Sequence, residues 1–115
     1  MDAWKNIRLE LGSTDKFPRG SVSRGYLIRL PLDRDGKVDR AALALHPHRA
    51  KVRRYWSTEA DETGEIVEKD GVWSLRCKRD RRILELDGRP VLLGSKVSII
   101  EADGSVLSYN IASVN

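Results

Sequence analysis

Residues 49–56, Arg-Ala-Lys-Val-Arg-Arg-Tyr-Trp, bring four cations and two large aromatic rings into one short stretch. Guanidinium and ammonium groups bind phosphate oxygens and aromatic faces stack on unpaired bases, so a single strand here offers both contacts that single-stranded nucleic acid requires. In an extended chain Arg49, Lys51, Arg53 and Tyr55 share one face, while Val52, Arg54 and Trp56 share the other. A second basic cluster, Arg76, Lys78, Arg79, Arg81 and Arg82, extends the surface if the sheet order brings it alongside. The candidate binding set is therefore Arg49, Lys51, Arg53, Arg54, Tyr55 and Trp56, with Lys78 and Arg79, and its expected partner is single-stranded nucleic acid or an acidic protein. The competing expectation puts Trp56 in the core and pairs the basic positions with the acidic residues 59–62, or with the acidic strand beyond them.

Other reactive side chains form weaker patterns. His46 and His48 flank Pro47 and could be joined by Cys77, but a zinc site needs three or four ligands and a cysteine nucleophile needs a base within reach. A lone thiol between apolar neighbours is expected to be buried and inert. Glu59, Asp61, Glu62 and Glu65 could bind a cation or supply paired carboxylates, yet a position in a polar loop offers little to shift their pKa values. Residues 33–39, Asp-Arg-Asp-Gly-Lys-Val-Asp, look like a calcium loop only superficially. Aligning Gly36 with the turn glycine of such a loop puts Pro31 and Ala42 where the first carboxylate and the bidentate Glu belong. No catalytic residue, metal or cofactor is expected.

The elements that position these residues are read from turns and alternation. Asp-Gly occurs four times, at Asp35-Gly36, Asp70-Gly71, Asp87-Gly88 and Asp103-Gly104, and the last three lie between short aliphatic or β-branched runs. Tight hairpins need residues that tolerate positive φ, as glycine and, at modest cost, Asp do. Residues 64–69 and 72–78 thus form a hairpin with Ile66 opposite Leu75 and Glu65 opposite Arg76, gathering Ile66, Trp73, Leu75 and Cys77 on the core side. Residues 82–86 and 89–93 are expected to pair around Asp87-Gly88, with Pro90 marking an exposed edge. Around Asp103-Gly104, a three-residue turn with Gly104 at the bulge opposes Ile99 to Leu107 and Val97 to Tyr109.

Further strands are expected at residues 4–11, with Ile7, Leu9 and Leu11 on one side, and from Tyr26 to Leu32, where Pro31 indicates an edge strand or a strand end. Residues 12–24 read as a long mobile loop and the acidic stretch 57–63 as a surface loop. Asp39 caps a short helix at 40–45, which Pro47 stops.

These elements predict a single mainly β domain over residues 1–115, an antiparallel small barrel or two-layer β-roll built from hairpins, with one short helix near residues 40–45. The chain has 115 residues, 40% hydrophobic and 33% charged, a polar balance that still lies above the low-apolar regime of disorder. Net charge is +4, which bears on partners less than its distribution does: residues 49–54 are basic, 59–70 acidic and 76–82 basic. One cysteine excludes an internal disulfide, and no apolar run approaches the ~20 residues of a spanning helix, so a cytoplasmic protein without membrane contact is expected.

The leading functional expectation is a non-enzymatic binding or interaction module, in its sharper form nucleic-acid binding through residues 49–56. A small-ligand-binding protein or enzyme whose site is assembled only in three dimensions, in a barrel mouth or between sheets, is the alternative. A third expectation is a protein-protein module or homodimer using exposed strand edges.

Overall fold

A computed structural model describes residues 3–77 and 80–115; Lys78 and Arg79 lie outside the described residues. Eight antiparallel strands follow one another around a closed barrel, each paired with its neighbours in sequence and the first with the last. They are β1 (Trp4–Leu11), β2 (Ser21–Pro31), β3 (Lys51–Trp56), β4 (Glu59–Lys69), β5 (Val72–Cys77), β6 (Asp80–Glu85), β7 (Lys96–Ile100) and β8 (Val106–Val114). The barrel form of the expected fold class is thus the one adopted, and every strand has two neighbours. Among the described residues, no strand is left with the long free edge that edge-to-edge association needs.

Alternation decides which side chains enter the barrel. Ile7, Leu9 and Leu11 of β1, Tyr26, Ile28 and Leu30 of β2, and Val97 and Ile99 of β7 recur at every second position and are buried. The expected hairpin registers hold: Ile66 faces Leu75, Glu65 faces Arg76, Ile99 faces Leu107 and Val97 faces Tyr109. Asp70 and Gly71 both take positive φ, 54° and 80°, which matches the right-handed twist of the flanking strands in a two-residue turn. Glu101 N donates to Ser105 O and Gly104 N to Glu101 O, closing the bulged three-residue turn between β7 and β8.

Three expectations are corrected. Residues 89–93 form no strand: Asp87 and Gly88 do make a tight turn, with Arg89 N donating to Leu86 O, but the chain then leaves the sheet. Pro90 has no amide hydrogen to continue a ladder. Val91 N donates instead to Gly36 O, Val91 is buried, and β6 pairs with β7. The acidic stretch is not a loop either, because β4 begins at Glu59 and pairs with basic β3, setting Glu62 opposite Arg54 and Glu65 opposite Lys51. Opposite charges facing each other across a ladder offset the poor strand propensity of these residues. Finally, β2 starts at Ser21, so the loop between β1 and β2 covers only residues 12–20.

The two ends of the barrel differ. At one end, two long connections cross over: residues 32–50 and residues 86–95. The first carries α1 (Arg40–Leu45), whose Ala42 N is capped by the Asp39 carboxylate at 3.0 Å, followed by a 3₁₀ turn at Pro47–Arg49. Leu32, Ala50, Leu86 and Val91 are buried there, with Val38 and Leu43 packed against them. Pro31 lies at the end of β2, beyond the ladder to β3. Among the described residues, the opposite end carries the short turns at 57–58 and 101–105 and the 12–20 loop, and it is the open mouth.

Bending strands into so small a ring brings backbones close. A Cβ on Gly64 of β4 would collide with the Arg76 carbonyl of β5, and one on Gly25 of β2 would collide with the Leu9 carbonyl of β1. The Tyr55 hydroxyl, whose residue pairs with Gly25, donates to that same Leu9 carbonyl at 3.1 Å. Gly64→Ala is expected to cost about 2–3 kcal/mol in urea unfolding. A loss below about 0.5 kcal/mol would mean that the strand relaxes and the close approach is not a constraint.

Candidate functional site

Near the mouth, the inward phase of several strands switches from aliphatic to polar. Tyr26 continues the row of Ile28 and Leu30, Arg54 that of Val52, Arg82 that of Leu84, Glu101 that of Val97 and Ile99, and Tyr109 that of Ile111. Five strands or their ends therefore deliver two guanidiniums, one carboxylate and two phenols to one layer. All five residues are buried.

Glu101 is the centre of this layer. Its Oε1 accepts from the Tyr26 hydroxyl at 3.0 Å and the Tyr109 hydroxyl at 2.9 Å, and its Oε2 accepts a second contact from Tyr26 at 2.9 Å. The tyrosine rings meet edge to face with centroids 5.3 Å apart. Burial pushes the Glu101 carboxyl above its ordinary range, outweighing the two phenol donors and the nearby Arg82 and Arg54 charges that act the other way. Burial and the Glu101 charge together push both phenols far upward, so they remain donors.

The guanidiniums are paired with other carboxylates. Arg82 Nη1 bonds the Asp80 carboxylate at 2.7 Å and lies 3.7 Å from Glu62. Arg54 Nη1 contacts Glu59 at 3.4 Å, and its guanidinium carbon sits 4.3 Å from the Trp56 ring centre. The Nε atoms of both arginines are buried and have no hydrogen-bond acceptor among the described residues. Unpaired donors on a buried charge are costly, which marks this layer as incompletely satisfied by the protein itself.

Above the layer opens a cavity of about 550 Å³. Arg54, Arg82 and Glu101 reach it from below, and Leu11, Phe17, Trp56 and Leu107 form apolar wall. Phe17 belongs to the 12–20 loop, which is tied by Phe17 N donating to Thr14 Oγ1 at 2.9 Å and by Arg24 lying 4.2 Å from the Phe17 ring centre. Its volume lies within the roughly 300–1,000 Å³ typical of small-molecule sites, and an apolar wall with a few convergent polar groups is the usual composition of one.

The sequence-derived set divides between two surfaces. Arg54 turns inward and Trp56 is half-buried at the cavity wall. Lys51, Arg53 and Tyr55 point outward, but Lys51 pairs with Glu65 at 3.1 Å and Tyr55 is half-buried with Arg8 stacked 4.6 Å from its ring centre. Arg49 precedes the strand and lies 4.8 Å from the Trp4 ring centre. Lys78 and Arg79 lie outside the described residues. Lys51 and Arg54 thus pair with acidic β4, one part of the competing expectation. The residues 33–39 form a turn, with the Asp33 carboxylate accepting from Asp35 N and Lys37 N. His46 and His48 are exposed on the far end, Cys77 is buried within the barrel with its thiol pKa pushed up by burial, and no cluster able to hold a metal occurs among the described residues.

Glu101, Tyr26 and Tyr109 were not among the sequence candidates, and Arg82 was one only as an extension of the outer basic surface. Their signal was phase: each is a polar or ionisable group on the apolar beat of an alternating strand.

A pH dependence follows from Glu101. The folded carboxyl holds its proton more tightly than the unfolded one, so this group's contribution is fully present below the ordinary value near 4.5 and is lost as pH rises through the raised folded value. Glu101→Gln keeps an Oε1 acceptor for both phenols and removes the titration. Thermal melts across pH 4 to 8 (about that span) should therefore show a smaller fall for the variant than for the parent protein, and parallel curves would contradict the assignment. No protein-family model, curated protein or solved structure matches this chain, so the chemistry of the site is read from its own residues.

Proposed function

We propose that this protein binds a small organic molecule through its carboxylate, in the mouth of the barrel. The observation that carries this reading is the pair of largely buried guanidiniums, Arg54 and Arg82, that line a cavity with an apolar wall. Guanidinium donors match carboxylate geometry, and the apolar barrel interior beneath them strengthens such bonds. Leu11, Phe17 and Leu107 supply contact for the apolar body of the ligand, and Trp56 lies beside the proposed carboxylate position.

A second reading keeps nucleic acid as the partner, on the outer face of the barrel. A shallow groove there is lined by Arg29, Lys51 and Arg53 together with Leu27 and Thr63. Lys51 and Arg53 are exposed, which supports phosphate contact, but Glu65 lines the same groove and Tyr55 is engaged with Leu9. The mouth is favoured because its cations are buried beside a concave cavity, whereas Lys51 and Arg53 of the groove are exposed.

Tryptophan fluorescence during titration separates the two. Aliphatic and aromatic monocarboxylates should give a saturable response, and Arg54→Gln should weaken it about tenfold while the melting temperature stays near that of the parent. Glu59, its main partner, is exposed, so this substitution leaves no buried charge alone. If no carboxylate perturbs the fluorescence or the melting temperature, the mouth reading fails. Oligonucleotide binding that falls steeply with salt and is lost in a Lys51→Gln, Arg53→Gln double variant would establish the groove instead.

A further inference from the structure

We infer that the ligand is a zwitterion, an α-amino acid with an apolar side chain, seated with its carboxylate toward Arg54 and Arg82 and its ammonium toward Glu101 and Asp103. This rests on the carboxylate reading of the mouth and narrows it. The charges lining the cavity are Lys16, Arg54 and Arg82 against Asp15, Glu101 and Asp103. Outside the cavity lining, Glu59, Glu62 and Asp80 pair with the two arginines. A ligand with net negative charge therefore enters surroundings that carry no excess of positive charge, and gains little beyond its direct hydrogen bonds. A ligand carrying both charges meets no such opposition.

The two signs come from different elements. Arg54 and Arg82 come from β3 and β6, whereas Glu101 and Asp103 come from the end of β7 and the turn that follows it. Asp103 is fixed rather than free: its Oδ1 accepts from Ser105 N at 2.9 Å and from Ser105 Oγ at 2.6 Å. These bonds hold its carboxyl below the ordinary range, so it stays ionised. Glu101 accepts only phenol donors among its recorded hydrogen bonds, and a carboxylate with about four lone-pair positions retains room for an ammonium hydrogen. An α-amino acid has its two charged groups on one carbon, and the Leu11, Phe17, Trp56 and Leu107 wall suits an apolar side chain rather than a second charge.

Three probes differing only in their charged ends test this: L-phenylalanine, phenylpropanoate, which lacks the ammonium, and phenethylamine, which lacks the carboxylate. Calorimetric titration at neutral pH should give L-phenylalanine an affinity at least about tenfold above either analogue. Asp103→Asn alters an exposed turn residue and should weaken L-phenylalanine several-fold while leaving phenylpropanoate unchanged. Phenylpropanoate binding as tightly as L-phenylalanine would overturn the zwitterion and leave the carboxylate reading standing. Failure of both, or binding of phenethylamine alone, would overturn both readings.

Discussion

The ladder between β1 and β8 joins residues from opposite ends of the sequence, Leu9 to Ile111 and Leu11 to Tyr109, and every other arrangement in the molecule presupposes it. Seven local pairings would give only a curled meander with two free edges. Closing it fixes the diameter, and with eight strands the interior is narrow enough for side chains from opposite walls to touch. Tyr26 of β2 and Tyr109 of β8 reach the same carboxylate because the ring is shut. The long loop that closure requires is entropically expensive, and the dense aliphatic rows of the lower barrel offset it.

Within that ring the division between a plugged end and an open end gives the charged layer its meaning. Placed in the middle of the barrel, two guanidiniums and a carboxylate would be a desolvation cost of several kcal/mol per ion with little return. Placed at the mouth, they keep a low-dielectric floor beneath them and an aqueous cavity above. Their partners Glu59, Glu62 and Asp80 engage the Nη1 atoms and leave both Nε donors without an acceptor among the described residues. Such partial satisfaction is poor economy for a purely structural network.

Much of the scaffold was legible in the sequence because its determinants are local. Asp70-Gly71 and Asp103-Gly104 set two hairpins and their registers, Asp39 and Pro47 bracket the helix, and alternation identified Ile7, Leu9, Ile66, Trp73 and Leu75 as core. Asp87-Gly88 misled for a physical reason: a tight turn reverses the chain but does not oblige the next segment to pair, and Pro90 together with the pull of Val91 toward the barrel end took it elsewhere. The acidic β4 hid for the opposite reason, since only the basic strand beside it makes residues such as Glu59 and Glu62 tolerable in a ladder. The site was harder to see because it depends on which strands become neighbours. Arg54 already shared the phase of Val52 and Trp56 in the sequence, but the basic stretch read most directly as a surface.

A ring is as strong as its shortest seam. β6 and β7 share only the pairs Ile83 with Ile100, Leu84 with Ile99 and Glu85 with Ser98. Breaking so short a ladder costs the fewest backbone hydrogen bonds, so this is where local opening of the barrel is least expensive. Arg82 and Glu101 sit directly beyond the mouth-side end of that seam, on its two sides. Breathing of the wall and exposure of the charged floor are consequently one motion, and whatever stabilises the floor also latches the barrel.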